Sequence, residues 1–190
     1  DLAMSPKILA FAGSTRKDSF NKKIVAIAAA GARAAGAEVT QIDLSEYPLP
    51  LFDEDLEASE GMPDNAQALI DLFLSHNALL ISSPEYNSSI SAVLKNTIDW
   101  VSRPKDGVAP LAPFAGKVAA LLAASPGGLG GLRGLVHLRS ILGNMQVTVL
   151  PDQVAVPQVH NLLGGGQLTD QGQQDKVAAL GRKLAEISAK

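Results

Sequence analysis

Residues 8–30 form the most restrictive stretch of the sequence. Ile8-Leu9-Ala10-Phe11-Ala12 is a short apolar run of the kind a buried parallel strand makes. At Gly13 the chain turns polar, with Ser14, Thr15, Arg16, Ser19 and Asn21 close together. Lys22-Lys23-Ile24-Val25-Ala26-Ile27-Ala28-Ala29-Ala30 follows, rich in good helix formers. Strand, polar turn and helix in this order bring unpaired backbone N–H groups and the positive end of the helix dipole to one point. An anion belongs there, most often a phosphate. Ser14, Ser19 and Asn21 add neutral hydrogen bonds and Arg16 a charge-assisted one. The competing reading makes Ser19 a plain helix cap and the rest ordinary loop, but a cap needs one such residue rather than five.

The turn is neither G-x-x-x-x-G-K-S/T nor G-x-G-x-x-G, since only Gly13 is available. That argues against a triphosphate loop and against a pyrophosphate lying close to the backbone. A pocket lined by hydroxyl side chains suits a terminal monophosphate. Flavin mononucleotide (FMN) is the commonest ligand of that kind at this place in a doubly wound sheet.

Composition narrows the alternatives. The 190 residues, 46% of them hydrophobic, suffice for one well-cored domain and are few for two. A net charge of -3 makes no electrostatic case for a nucleic-acid partner. The absence of cysteine excludes disulfides, thiolate catalysis and cysteine-rich zinc sites. No apolar run is long enough to suggest a membrane span and no signal segment opens the chain, so a cytoplasmic location is expected. Residues 1–3, ahead of Met4, read as a vector-derived remnant, leaving a single domain over 4–190.

Strands and helices alternate along the rest of the chain. Residues 37–44 alternate polar and apolar like a strand near a sheet edge. Ser45 to Gly61 reads as a long loop, proline-containing and then acidic at Asp53, Glu54, Asp55 and Glu57. A helix over 66–74 follows Pro63, then a buried strand over 78–83 and a helix over 91–101. A third buried strand spans 117–124, a helix 132–142, a fifth strand 146–150 and a closing helix 170–189. The closing helix follows a glycine-rich loop, Gly164-Gly165-Gly166. The pattern is that of an α/β chain with a parallel sheet.

Ligands of such sheets sit beyond the carboxyl ends of the strands, so three polar strand ends should cluster. The first is Gly13–Asn21. The second, Pro84-Glu85-Tyr86-Asn87-Ser88-Ser89, offers the N–H groups of Glu85, Tyr86 and Asn87 to the edge of a planar heterocycle. The third, Ser125-Pro126-Gly127-Gly128-Leu129-Gly130-Gly131, permits close backbone approach to a flat ligand.

Gly-Ser-Thr-Arg followed by Ser-Phe-Asn, then Ser-Pro-Glu-Tyr-Asn, then Leu-Lys-Asn-Thr-Ile-Asp-Trp resembles the NADPH-dependent FMN reductase family. These are flavodoxin-like flavoproteins that include quinone, azo-compound and chromate reductases. The resemblance runs from residue 7 to about 150 and implies a five-stranded parallel sheet in the order 2-1-3-4-5, with helices on both faces. It implies FMN phosphate on Ser14, Arg16, Ser19 and Asn21, in a turn that also includes Gly13, Thr15 and Phe20. It places the isoalloxazine along Pro84, Glu85, Tyr86, Asn87 and Ser88, with Ser125, Gly127 and Gly128 closing the other side. It further implies a homodimer or homotetramer. The proline-rich loop and the Trp100-bearing helix carry apolar surface in keeping with that.

The activity so implied is an NADPH- or NADH-dependent reductase that passes hydride to quinones, free flavin or similar small acceptors in two half-reactions at one open flavin face. Tyr86 is the candidate substrate contact, and no side chain is required as acid or base. The alternative within the same fold is an FMN electron carrier of the flavodoxin type acting through a protein partner. The mild charge, and aromatic residues at 4%, favour the reductase. A serine hydrolase needs a histidine near a polar strand end. His76, His137 and His160 are not so placed in the sequence, and no G-x-S-x-G elbow occurs.

Overall fold

The computed structural model describes residues 5–189, so the expected remnant at 1–3 lies outside the described residues. The main sheet has five parallel strands: β1 Lys7–Ala12, β2 Glu38–Gln41, β3 Ala78–Ser82, β4 Val118–Ala124 and β5 Thr148–Val156. Their spatial order is β2-β1-β3-β4-β5, as expected. Six α-helices accompany them among the described residues: α1 Phe20–Ala34, α2 Glu54–Glu60, α3 Asp64–Ser75, α4 Ala92–Val101, α5 Leu132–Asn144 and α6 Gln171–Ser188.

Successive strand residues point to opposite faces, and this period of two divides the core into two layers. Ile8, Ala10 and Ala12 of β1 pack with Leu80, Leu122 and the inner faces of α1 and α6. Leu9 and Phe11 pack on the other face with Leu79, Ile81, Phe73, Leu94 and Leu138, which belong to β3, α3, α4 and α5. Both faces of the sheet are covered, which is why its central strands read as continuous apolar runs. No helix among the described residues is long and apolar enough to cross a membrane.

Four local expectations need correction. The edge strand is shorter than 37–44: Asp43 accepts a hydrogen bond from Ser45 N–H at 2.9 Å and draws the chain into a 3-10 turn at Leu44–Glu46. The expected loop of 45–61 contains α2, capped by Asp53, whose side chain accepts from Asp55 N–H. Glu54, Asp55 and Glu57 lie in its first turn, at the positive helix end, and Glu57 pairs with Arg103 at 2.8 Å. The fifth strand does not stop at Leu150. It passes through Pro151 to Val156, its register on β4 jumping between Ala119↔Val149 and Leu121↔Gln153. A bulge on an edge strand is where proline is tolerated. Gly165 and Gly166 are the turn of a small antiparallel hairpin, β6 Leu163–Gly164 with β7 Gln167–Leu168.

Trp100 also departs from expectation. It is fully buried, donates through its indole N–H to Pro50 O at 2.8 Å, and stacks edge-on against Phe52. The proline-rich loop therefore covers the tryptophan within one chain. Leu51, 77% exposed, leaves a large apolar side chain of this loop in solvent beside the exposed Pro48 and Pro50.

Candidate functional site

The three polar strand ends meet. Ser14, Arg16, Ser19, Phe20 and Asn21 from the first, Pro84, Glu85 and Tyr86 from the second, and Ala124, Ser125 and Pro126 from the third line one recess of about 70 Å³. Enclosed ligand pockets run to roughly 300–1,000 Å³, so this recess has the scale of one small polar group, and a larger ligand must extend over open surface. A larger hollow, about 540 Å³ between α4 and α5, does not include the strand ends.

The first turn is built as a donor set. Ser19 caps α1 by accepting from Lys22 N–H at 3.3 Å, so the cap reading is true of its oxygen. Its hydroxyl hydrogen remains to donate. Helix geometry leaves the N–H groups of Phe20 and Asn21 without intrahelical acceptors. Ser14 is buried, accepts from Arg16 N–H at 3.2 Å and likewise keeps its hydroxyl hydrogen. None of the ion pairs among the described residues involves Arg16. Hydroxyls, helix N–H groups and a guanidinium not held by a carboxylate fit a phosphate group.

Asn21 does more than the motif suggested. Its side-chain oxygen accepts from Ser82 Oγ at 2.8 Å and from Ala124 N–H at 3.0 Å, while its amide donates to Ala124 O at 3.1 Å. Buried between α1 and the ends of β3 and β4, the amide fastens all three strand ends together. Gly13 is small for packing: a Cβ there would come within 2.9 Å of Leu94. Its carbonyl accepts from Ser91 Oγ at 2.6 Å. Thr15 lies on the far side, lining a separate hollow with Tyr47, Leu49 and Val93.

The second loop is a tight hairpin. Tyr86 and Ser89 exchange backbone hydrogen bonds at 2.9 and 3.1 Å, and Asn87 and Ser88 both take positive φ, 51° and 66°. Two consecutive left-handed residues make the turn type whose twist suits a hairpin, here without glycine. Tyr86 N–H is therefore used internally. Of the three N–H groups expected to face a ligand, those of Glu85 and Asn87 are left. Tyr86 is 51% exposed, its ring a flat group at the mouth of the recess.

Glu85 turns its carboxylate to the head of α5, accepting from Arg133 Nε at 2.8 Å and from the N–H groups of Arg133 and Gly134 at 3.0 and 3.3 Å. Burial would raise its pKa, but the Arg133 hydrogen bond and charge and the two N–H donors outweigh it and hold the carboxyl below the usual range. In the third loop Ser125 Oγ accepts from Gly127 N–H at 3.0 Å. Gly127 and Gly128 do not line the recess itself.

Several groups at the site carry only a weak signal in the sequence. Ser82 and Ser91 read as strand and helix residues, yet they fix Asn21 and Gly13. Their signal was a hydroxyl among apolar neighbours at an element end. His137 does reach a polar strand end, its Nδ1 lying 2.8 Å from Ser89 Oγ. Among the described residues no acid hydrogen-bonds to His137, so the hydrolase reading gains nothing. His76 is held by Leu72 O and Thr40 Oγ1 at 2.6 and 2.7 Å. Among the described residues no cluster of acids and histidines could hold a metal.

A doubly wound sheet with a donor-lined turn at its switch point defines a mononucleotide-binding protein. The chain belongs to the NADPH-dependent FMN reductase family, whose model matches residues 6–161. It is accordingly an oxidoreductase with FMN as cofactor and NAD(P)H as donor. An NAD(P)H-dependent FMN reductase of Pseudomonas aeruginosa is 37% identical over 86% of this chain and 85% of its own length. A quinone reductase of Escherichia coli is 36% identical over 76% of this chain and 73% of its own. Among solved structures, a flavoenzyme NAD(P)H:(acceptor) oxidoreductase of Paracoccus denitrificans superposes with a TM-score of 0.79, covering 95% of this chain and 96% of that one at 26% identity. An archaeal flavodoxin shares the fold alone, with a TM-score of 0.66 at 12% identity.

Proposed function

We propose that the protein reduces quinones or similarly flat small acceptors at the expense of NAD(P)H, the two substrates taking turns at one exposed face of the flavin. FMN, when bound, supplies the hydride chemistry. The chain's own residues bind and orient it. Ser14, Arg16, Ser19 and the first turn of α1 hold the phosphate, while Glu85 and Asn87 offer N–H groups at the ring side. The observation that carries this reading is the recess itself. It is large enough for one small group and open above, with Tyr86 half in solvent at its mouth; a flat ring held beside it would keep one side free for both substrates. Names borne by the relatives from Pseudomonas aeruginosa and Escherichia coli support the acceptor class.

The test is kinetic. Stopped-flow mixing of the flavin-loaded protein with NADPH, and separately NADH, without air should bleach the flavin, and a quinone added afterwards should restore its colour. Initial rates at several fixed quinone concentrations should give parallel double-reciprocal lines. Converging lines would rule out the shared face. No direct bleaching would point to the carrier of the same fold instead.

We further propose a homo-oligomer, at least a dimer. Tyr86, Leu129, Leu132 and Val136, all substantially exposed, lie on the second and third strand-end loops and the first turns of α5. Light scattering should give at least twice the monomer mass of 19.7 kDa at micromolar concentration, and the monomer mass would refute it.

A further inference from the structure

Helix α5 begins without a side-chain cap of its own. Its N-cap residue is Gly131, in the left-handed region, and no local side chain satisfies the first-turn N–H groups. The missing acceptor comes from another loop. Glu85, 46 positions earlier than Gly131, brings one carboxylate oxygen to the N–H groups of Arg133 and Gly134 and the other to the Arg133 guanidinium.

An exposed ion pair of this kind would be worth little. The Glu85 side chain, however, is only 9% exposed, both its oxygens are engaged, and it faces the positive end of a helix. Packing reinforces the link. A Cβ at Gly134 would meet Ser89 O at 3.0 Å and Glu85 Cβ at 3.5 Å, so the hairpin lies directly on the head of α5. One turn further along, His137 ties to Ser89. The second strand-end loop is thus joined to α5, and α5 is the direct continuation of the third.

We propose that Glu85 is a positioning residue for the flavin ring: its carboxylate locks the two ring-side loops into one wall, independently of the phosphate turn. This inference rests on the flavin reading above. It separates the site into two halves with different determinants. Phosphate recognition belongs to Ser14, Arg16 and Ser19, and ring recognition depends on the clamp.

The experiment titrates apoprotein with FMN and with riboflavin, followed by flavin fluorescence, for the wild type, Glu85→Ala, Glu85→Gln and Arg16→Ala. Glu85→Ala should weaken both flavins by a similar factor, about tenfold, leaving the FMN-to-riboflavin ratio unchanged. Glu85→Gln keeps an oxygen for the two N–H groups and should recover most of the affinity. Arg16→Ala should lower the ratio instead. Amide hydrogen exchange on the apoprotein gives a readout without flavin. Glu85→Ala should speed exchange at Tyr86, Ser89 and the first turns of α5 while leaving residues 20–34 protected as before. Wild-type affinities and exchange in Glu85→Ala would overturn the proposal, as would a loss confined to FMN. A wild-type apoprotein that binds neither flavin would bring down the functional reading and the proposal with it. Altered exchange with unaltered flavin binding would overturn the proposal alone.

Discussion

Gly181 of α6 and Gly143 of α5 are both helical glycines, and the same substitution should move the two in opposite directions. A Cβ at Gly181 would fall about 1 Å inside the 3.0 Å that real Cβ atoms keep, directed at the carbonyl oxygen of Ala28 in α1. Gly31 of α1 is placed in the same way against the Ala178 carbonyl, so the two helices meet backbone to backbone through reciprocal glycines. A rigid carbonyl cannot yield as a side chain tip does, so α6 must move off α1 by about an ångström along a buried seam. Overpacking of this order costs about 1–3 kcal/mol or more. Alanine in a helix returns about 1 kcal/mol over glycine. For Gly181→Ala we expect a net loss of about 2 kcal/mol. A Cβ at Gly143 meets nothing within 4 Å, so Gly143→Ala should keep the propensity gain of up to about 1 kcal/mol. In a chain of this size 1 kcal/mol corresponds to roughly 2–4 °C. Thermal melts of the apoprotein should therefore show Gly143→Ala higher by a few degrees and Gly181→Ala lower by roughly 4–8 °C. If both variants melt higher, the helices have room to part freely and the close seam does not constrain the fold.

Arg16→Ala should weaken FMN by about one to two decades, the worth of a charge-assisted bond at about 1.5–3 kcal/mol, while riboflavin affinity and the melting temperature stay near wild type. Equal losses for both flavins would refute the phosphate assignment. Asn21→Ala strands Ser82 Oγ and both backbone groups of Ala124, and should cost about 2–4 kcal/mol in denaturant unfolding. A loss below 1 kcal/mol would show that the strand ends hold without it. Lys117 gives the pH dependence. Burial lowers its pKa from the ordinary 10.5, although its ammonium donates to the His76 carbonyl. The unfolded chain then binds more protons than the folded one between the two values, so stability should rise with pH through that window and level off above 10.5. Lys117→Met should flatten this rise in chemical denaturation series, and an unchanged slope would assign it to another group.

The central strands were legible because burial on both faces removes any need for polar alternation, as in Ala78-Leu79-Leu80-Ile81. The phosphate turn was legible because hydroxyls crowd the one point where strand meets helix. Helix α2 was not, since Glu54, Asp55 and Glu57 read as solvated loop until Asp53 is seen capping them and Arg103 pairing with them. Nor was the second half of β5. Pro151 argues against a strand, and only its position on the sheet edge at a bulge makes it tolerable. Asn21 and Glu85 were picked out for the ligand, and half of what each does was missed for one reason. Their partners, Ala124 and Gly134, lie 103 and 49 positions away, and no local pattern announces a bond of that span.

The irregular β5 and the four-residue β2 bear on whether one copy of the sheet could be extended by another. They are the two outer strands of the sheet, and each is poor material for extending it. Strand β2 is short, with Glu38 and Gln41 in solvent, and β5 is interrupted by a proline and a register jump. Short, charged or broken edges deny an incoming strand a continuous ladder of hydrogen bonds. Sheet-to-sheet addition, the route to open-ended fibres, is thereby closed off at both sides. Contacts between copies would then fall to the helices and strand-end loops, and an isologous pairing of such surfaces closes on itself.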